Sequence, residues 1–206
     1  MAAISSSRFS LGVRIWHWLN SAVVIGLLAT YFLRTTLLSM KVNRQLFVDK
    51  LAEREIVVDV NVGKDLARVL VDRLWVWHIN LGYVLAALLV FRLVLFLMDR
   101  SHPFARLWKF LKKRDLSAHA LAVKALYAFF YIIVGLMVLS GLGMVFGEQM
   151  GLSERFFEKI EEFHENAMWF FVVFLVLHLT GVIWAEITDD PGLVSRMLHG
   201  GAKEKP

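Results

Sequence analysis

Cysteine is absent from the 206 residues, which excludes disulfides, thiolate zinc sites, iron–sulfur ligation and thiol catalysis. Formal charge is nearly absent from four long stretches. Ile15–Leu33, Ala125–Gly147 and Asn166–Ala185 carry none, and Leu74–Met98 carries only Arg92. No cleaved leader is expected, because Ile15–Leu33 is too long for the apolar core of a signal peptide and lacks an A-x-A site. Low-complexity segments are lacking as well. What the chain does have is apolar surface: 58% of residues are hydrophobic and 13% aromatic, the composition of a membrane protein rather than of a soluble core. The net charge of +5 does not indicate nucleic acid, since the basic residues cluster beside the apolar stretches.

Roughly 20 apolar residues at about 1.5 Å each cross a 30 Å hydrocarbon core, so four transmembrane helices are predicted. The expected fold is an all-α membrane protein, a four-transmembrane-helix bundle forming one domain over 1–206. Its spans fall at about 12–36, 72–99, 121–147 and 163–187. Between spans two and three, Arg100, Arg106, Lys109, Lys112, Lys113 and Arg114 face only Asp99 and Asp115. Between spans three and four, Glu148, Glu154, Glu158, Glu161 and Glu162 outnumber Arg155 and Lys159. The basic loop is therefore expected in the cytoplasm, with both termini on its side. The connection at 37–71 then falls outside although it is mildly basic, a departure that longer loops allow. Within it, VNRQLFVDKLAEREI (42–56) and GKDLARVLVDRLWVWH (63–78) place apolar residues at helical spacing. A pair of short amphipathic helices outside the membrane follows, the second running into span two. Such a layer serves equally as a cap or as a docking surface.

The histidines carry the chemistry. His102, His119 and His199 sit among Lys and Arg in loops or tail, and no role is assigned to them. His17, His78, His164 and His178 lie inside or at the edge of spans, where an ionisable side chain is a functional signal. His164 and His178 share span four in an H-x₁₃-H spacing. That spacing returns to the same helix face within about 40° and separates them by about 21 Å, too far for one metal. Span one starts on the cytoplasmic side, so His17 is inner; spans two and four start outside, so His78 and His164 are outer. His178 lies about two-thirds of the way across, by the same rise per residue. Of the three possible pairings, only His17–His178 with His78–His164 joins residues at matching depth. Two facing imidazoles from different helices suit an iron porphyrin with both axial positions filled, whose work is one-electron transfer. Two such haems would form a path across the bilayer.

Neighbouring residues fit this reading. Gly82 and Gly181 follow His78 and His178 closely, leaving room for a flat ligand, while Gly143-x-x-x-Gly147 has the look of helix packing. Arg14 is one turn before His17 and suits either a haem propionate or lipid phosphates. Arg92 shares the face of His78 at the depth of the inner haem, where a propionate or a quinone head is the candidate partner. Trp16, Trp18, Trp75, Trp77 and Trp169 read as interfacial anchors.

RIWHWLN at 14–20, WVWHINLG at 75–82, the H-x₁₃-H of span four and the tail AEITDDPGLVSRMLHGG together resemble the bacterial cytochrome b561 family, which is grouped with the b-type cytochrome subunits of nickel–iron hydrogenases. The likeness covers nearly the whole chain except Arg34–Arg73. It implies a bacterial inner-membrane bundle with two b haems ligated by His17, His78, His164 and His178, exchanging electrons with membrane quinone. The stretch of chain between His17 and His78 is longer than compact members of that family have. An electron-transfer subunit with an extracytoplasmic redox partner, such as a hydrogenase-like catalytic subunit, is one expectation. A self-contained superoxide:quinone oxidoreductase is the alternative. A haem-free transporter or scaffold is the remote one, since neither broken helices nor inverted repeats are evident. The acidic Glu154–Glu162 stretch beside His164 leans toward a protein partner.

Overall fold

Apolar backbone in a bilayer has to satisfy its own N–H and C=O groups, and helices do this within a single segment. The computed structural model describes residues 9–98, 118–188 and 190–200, and its regular elements are all helices. They are α1 (Leu11–Thr35), α2 (Met40–Ala52), α3 (Val60–Met98), α4 (Ala118–Phe146), α5 (Glu154–Ile187) and α6 (Leu193–His199). Four of them, α1, α3, α4 and α5, are long and apolar enough to cross a membrane, as in a four-helix membrane bundle. The basic loop at 99–117, with His102, lies outside the described residues, as does the side chain of His119.

Helix α3 has 39 residues, about 58 Å of helix against a 30 Å hydrocarbon core. Its first turns therefore extend beyond the apolar run that begins at Leu74. Helix α2 overlaps the segment 42–56 but starts two residues before it and ends at Ala52, leaving 53–56 as a turn, while 63–78 lies within the first half of α3 without a break. Along the four long helices large apolar side chains stay exposed, Leu139 at 67%, Val176 at 60% and Ile183 at 58% among them. In a bilayer these faces meet acyl chains, and burial inside the protein is not needed to satisfy them.

Two compact units divide the chain, Met1–Asn20 with Leu88–Pro206, and Ser21–Ala87. In the first, α4 and α5 form a hairpin whose turn closes with Gly151 at φ 67°. Gly147 stands where a Cβ would come within 2.5 Å of the Gly143 carbonyl and 3.2 Å of Leu152, so only glycine fits without a shift. Aromatic rings fill the hairpin: Phe130 stacks on Phe174 at 4.4 Å and meets Phe171 edge-on at 5.9 Å. Val134, Met168 and Phe171 are the buried aliphatic and aromatic positions around them.

Helix α6 has only seven residues, too few to hold its shape alone. It is pinned at both ends. The Glu186 carboxylate accepts the backbone N–H groups of Gly192 (2.8 Å) and Val194 (2.9 Å), which otherwise lack partners at a helix start. At the other end Gly200, at φ 86°, closes the helix by donating to the Arg196 carbonyl.

In the second unit, α2 crosses the start of α3 at Gly63. A Cβ there would lie 2.5 Å from the Arg44 carbonyl oxygen and 2.7 Å from Val48. Ala67, one turn on, is buried at 1% exposure. Buried Asn43 donates to the carbonyls of Leu37 (2.8 Å) and Ser39 (3.0 Å), tying the turn after α1 to α2. Further along, Leu81 of α3 packs against Gly26 of α1.

Candidate functional site

His17 and His178 lie in the first unit, His17 in the second turn of α1 and His178 between two and three turns before α5 ends. Their ring centres are 6.2 Å apart with the planes inclined by 51°. Direct ring stacking would bring them closer. A metal–imidazole bond of about 2 Å, with about 1.1 Å from nitrogen to ring centre, places two rings sharing one metal roughly 6 Å apart. The observed separation therefore fits one iron between them. Phe174, one turn before His178, lies parallel to its ring at 5.7 Å and 6°, and Trp18 meets His17 edge-on at 5.2 Å. A Cβ on Gly181 would meet no heavy atom within 4 Å, so the surface beside His178 is clear.

His164 is on the same helix as His178 but about four turns earlier, against α4. Its Nδ1 is 2.8 Å from the Ser140 hydroxyl, and its Cε1 is 3.4 Å from where Gly141 would carry a Cβ. His78, in the second unit, has Nδ1 2.7 Å from the Thr30 hydroxyl. Trp75 lies flat on the His78 ring at 4.7 Å and 7°, with the Arg34 guanidinium 4.7 Å above the indole. Around Gly82, as around Gly181, nothing lies within 4 Å of a Cβ position.

The two candidate arginines differ. Arg14 donates through Nε to the Met197 carbonyl at 3.3 Å and through Nη2 to that of Leu198. Trp18 adds its Nε1 to Met197 at 3.3 Å. A cation on the last carbonyls of α6 suits the negative end of the helix dipole. Arg14 thus fixes the tail beside His17. Arg92 is half-buried, 5.6 Å from the centre of the Trp16 ring, with Nε donating to the Tyr131 hydroxyl at 3.4 Å. Trp16 stacks on Tyr131 at 6.1 Å and donates Nε1 to the Leu88 carbonyl at 2.9 Å. At 9% exposure Trp16 is a core residue, not an interfacial anchor; Trp77, at 67%, keeps the anchor's exposure.

Sequence spacing did not single out Thr30, Ser140, Tyr131 or Phe174. The only sign of the first three is a hydroxyl within an apolar run.

Imidazoles carried on apolar helices, two of them with ring centres 6.2 Å apart, are in keeping with a membrane-bound electron carrier that holds haem through histidine. The family model described as prokaryotic cytochrome b561 matches residues 8–200, and the chain belongs to that family. It is a multi-pass membrane b-type cytochrome of electron transfer. No curated protein and no solved structure matches the chain.

Proposed function

We propose that the chain carries electrons across a bacterial inner membrane between an extracytoplasmic redox partner and the quinone pool, using two b haems. His17 and His178 hold the inner haem, and His78 and His164 the outer one. The observation that carries the reading is the 6.2 Å between the His17 and His178 ring centres. For the outer pair the support is sequence spacing: His78 lies four residues into the apolar run that begins at Leu74, and His164 lies 14 residues before His178 on α5. Haem held between these imidazoles would supply one-electron transfer.

The protein's own residues do the positioning. Phe174 and Trp75 lie flat on one ligand ring each, which limits rotation about the side-chain bonds. Arg92, on an aromatic face and with no carboxylate in its span, is the propionate partner in this reading. Arg14 acts at one remove, by keeping α6 on α1. The glutamates that open α5 give a protein partner an acidic surface next to the outer site.

The deciding experiment counts haem per chain by pyridine haemochrome, with a reduced-minus-oxidised spectrum of each single variant. Two haems are expected in the wild type. His17→Ala and His178→Ala should each lose one spectral component, and His78→Ala and His164→Ala the other. One haem per chain, or the same component lost from both pairs, overturns the scheme.

A further inference from the structure

Buried polar side chains among the described residues are Asn20, Thr30, Asn43 and Ser140. Two of these four are the hydroxyls that meet a histidine Nδ1. Both do so in the same way. Thr30 Oγ1 lies 2.7 Å from His78 Nδ1 and bonds the Leu27 carbonyl, three residues back, at 2.7 Å. Ser140 Oγ lies 2.8 Å from His164 Nδ1 and bonds the Met137 carbonyl, again three residues back, at 3.1 Å.

A hydroxyl has one proton to donate and lone pairs to accept with, whereas a carbonyl oxygen only accepts. The single proton of each hydroxyl therefore goes to the carbonyl, and a lone pair is turned to the imidazole. An acceptor facing Nδ1 requires the proton on Nδ1. In a neutral imidazole this leaves the lone pair on Nε2, the nitrogen then able to bind a metal. We propose that Thr30 and Ser140 are positioning residues of the outer haem site. Each sets the tautomer of one ligand, and together they tune the ligand pair. This rests on the two-haem reading above.

The electronic consequence has a definite sign. Donating Nδ1–H to an acceptor makes the ring a more basic ligand. A more basic ligand favours ferric over ferrous iron, so the hydroxyls lower the outer potential. Uncharged acceptors do this less than a carboxylate.

Thr30→Val and Ser140→Ala remove the acceptors, while Thr30→Ser and Ser140→Thr keep them. The readouts are haem count, redox titration and low-temperature electron paramagnetic resonance, with the outer component defined as the one that His78→Ala loses. Each hydroxyl-free variant should raise the outer potential by up to tenfold in the ferric-to-ferrous ratio, about 59 mV for one electron. The inner potential should stay fixed, and the conservative variants should restore the wild-type value. Loss of the outer haem alone, restored by the conservative variant, equally supports tautomer control. Two retained haems with an unmoved or lowered outer potential overturn it. A wild type with fewer than two haems shows instead that the two-haem reading has failed, and this inference falls with it.

Discussion

Arg92 is the only formal charge in Leu74–Met98, and its surroundings define what it can do. Trp16 offers the face of an indole and Tyr131 a hydroxyl, which together hold the guanidinium without neutralising it. A fixed cation near iron favours the ferrous state. Arg92→Gln is therefore expected to lower the inner potential by about 40 mV, an effect on the order of 1 kcal/mol. Redox titration checks this, and an unchanged inner potential would remove Arg92 from the site. The four histidines stand out in the sequence because an ionisable group in an apolar run is costly and conspicuous. The hydroxyls beside two of them do not. Thr30 and Ser140 look like any hydroxyl in a membrane helix until the residue opposite is known, and periodicity describes one helix at a time. Trp16 was misread for a similar reason: an indole near a span end suits the interface, and only its bond to the Leu88 carbonyl assigns it to the interior.

Two elements rest on contacts that sequence patterning leaves invisible. The helical spacing of 42–56 and 63–78 announced both helices, but the crossing of α2 on α3 turns on Gly63. A methyl there meets backbone oxygen, which cannot move aside as a side chain can. Gly63→Ala should cost about 1–3 kcal/mol of local packing. It should speed proteolysis at 53–59 while leaving both haem spectra intact; unchanged cleavage would argue that α2 is held elsewhere. By contrast Gly26→Ala meets the tip of Leu81, a flexible side chain, and should be nearly silent. The tail gives a second test. Arg14→Ala removes two donors from the final carbonyls of α6, so hydrogen exchange over Leu193–His199 should quicken at least tenfold. Equal protection in wild type and variant would show that Glu186 and the Asp190–Arg196 ion pair suffice.

For the whole molecule the prediction concerns sidedness. In sealed vesicles holding quinol, an impermeant oxidant outside should be reduced by wild type, and His17→Ala or His78→Ala should each slow this at least tenfold. Equal rates would mean that the two sites are not in series. The arrangement of the ligands along the chain has a further consequence, for biogenesis. Membrane proteins are made from the N-terminus, so His17 enters the bilayer with most of the chain still to be made before His178. In the proposed scheme His78 waits as well, because its partner His164 is also on α5. Neither pair is complete until the last span is in place. A chain stalled or clipped before α5 would therefore hold no haem between two histidines, and cofactor loading would report that synthesis had reached its end.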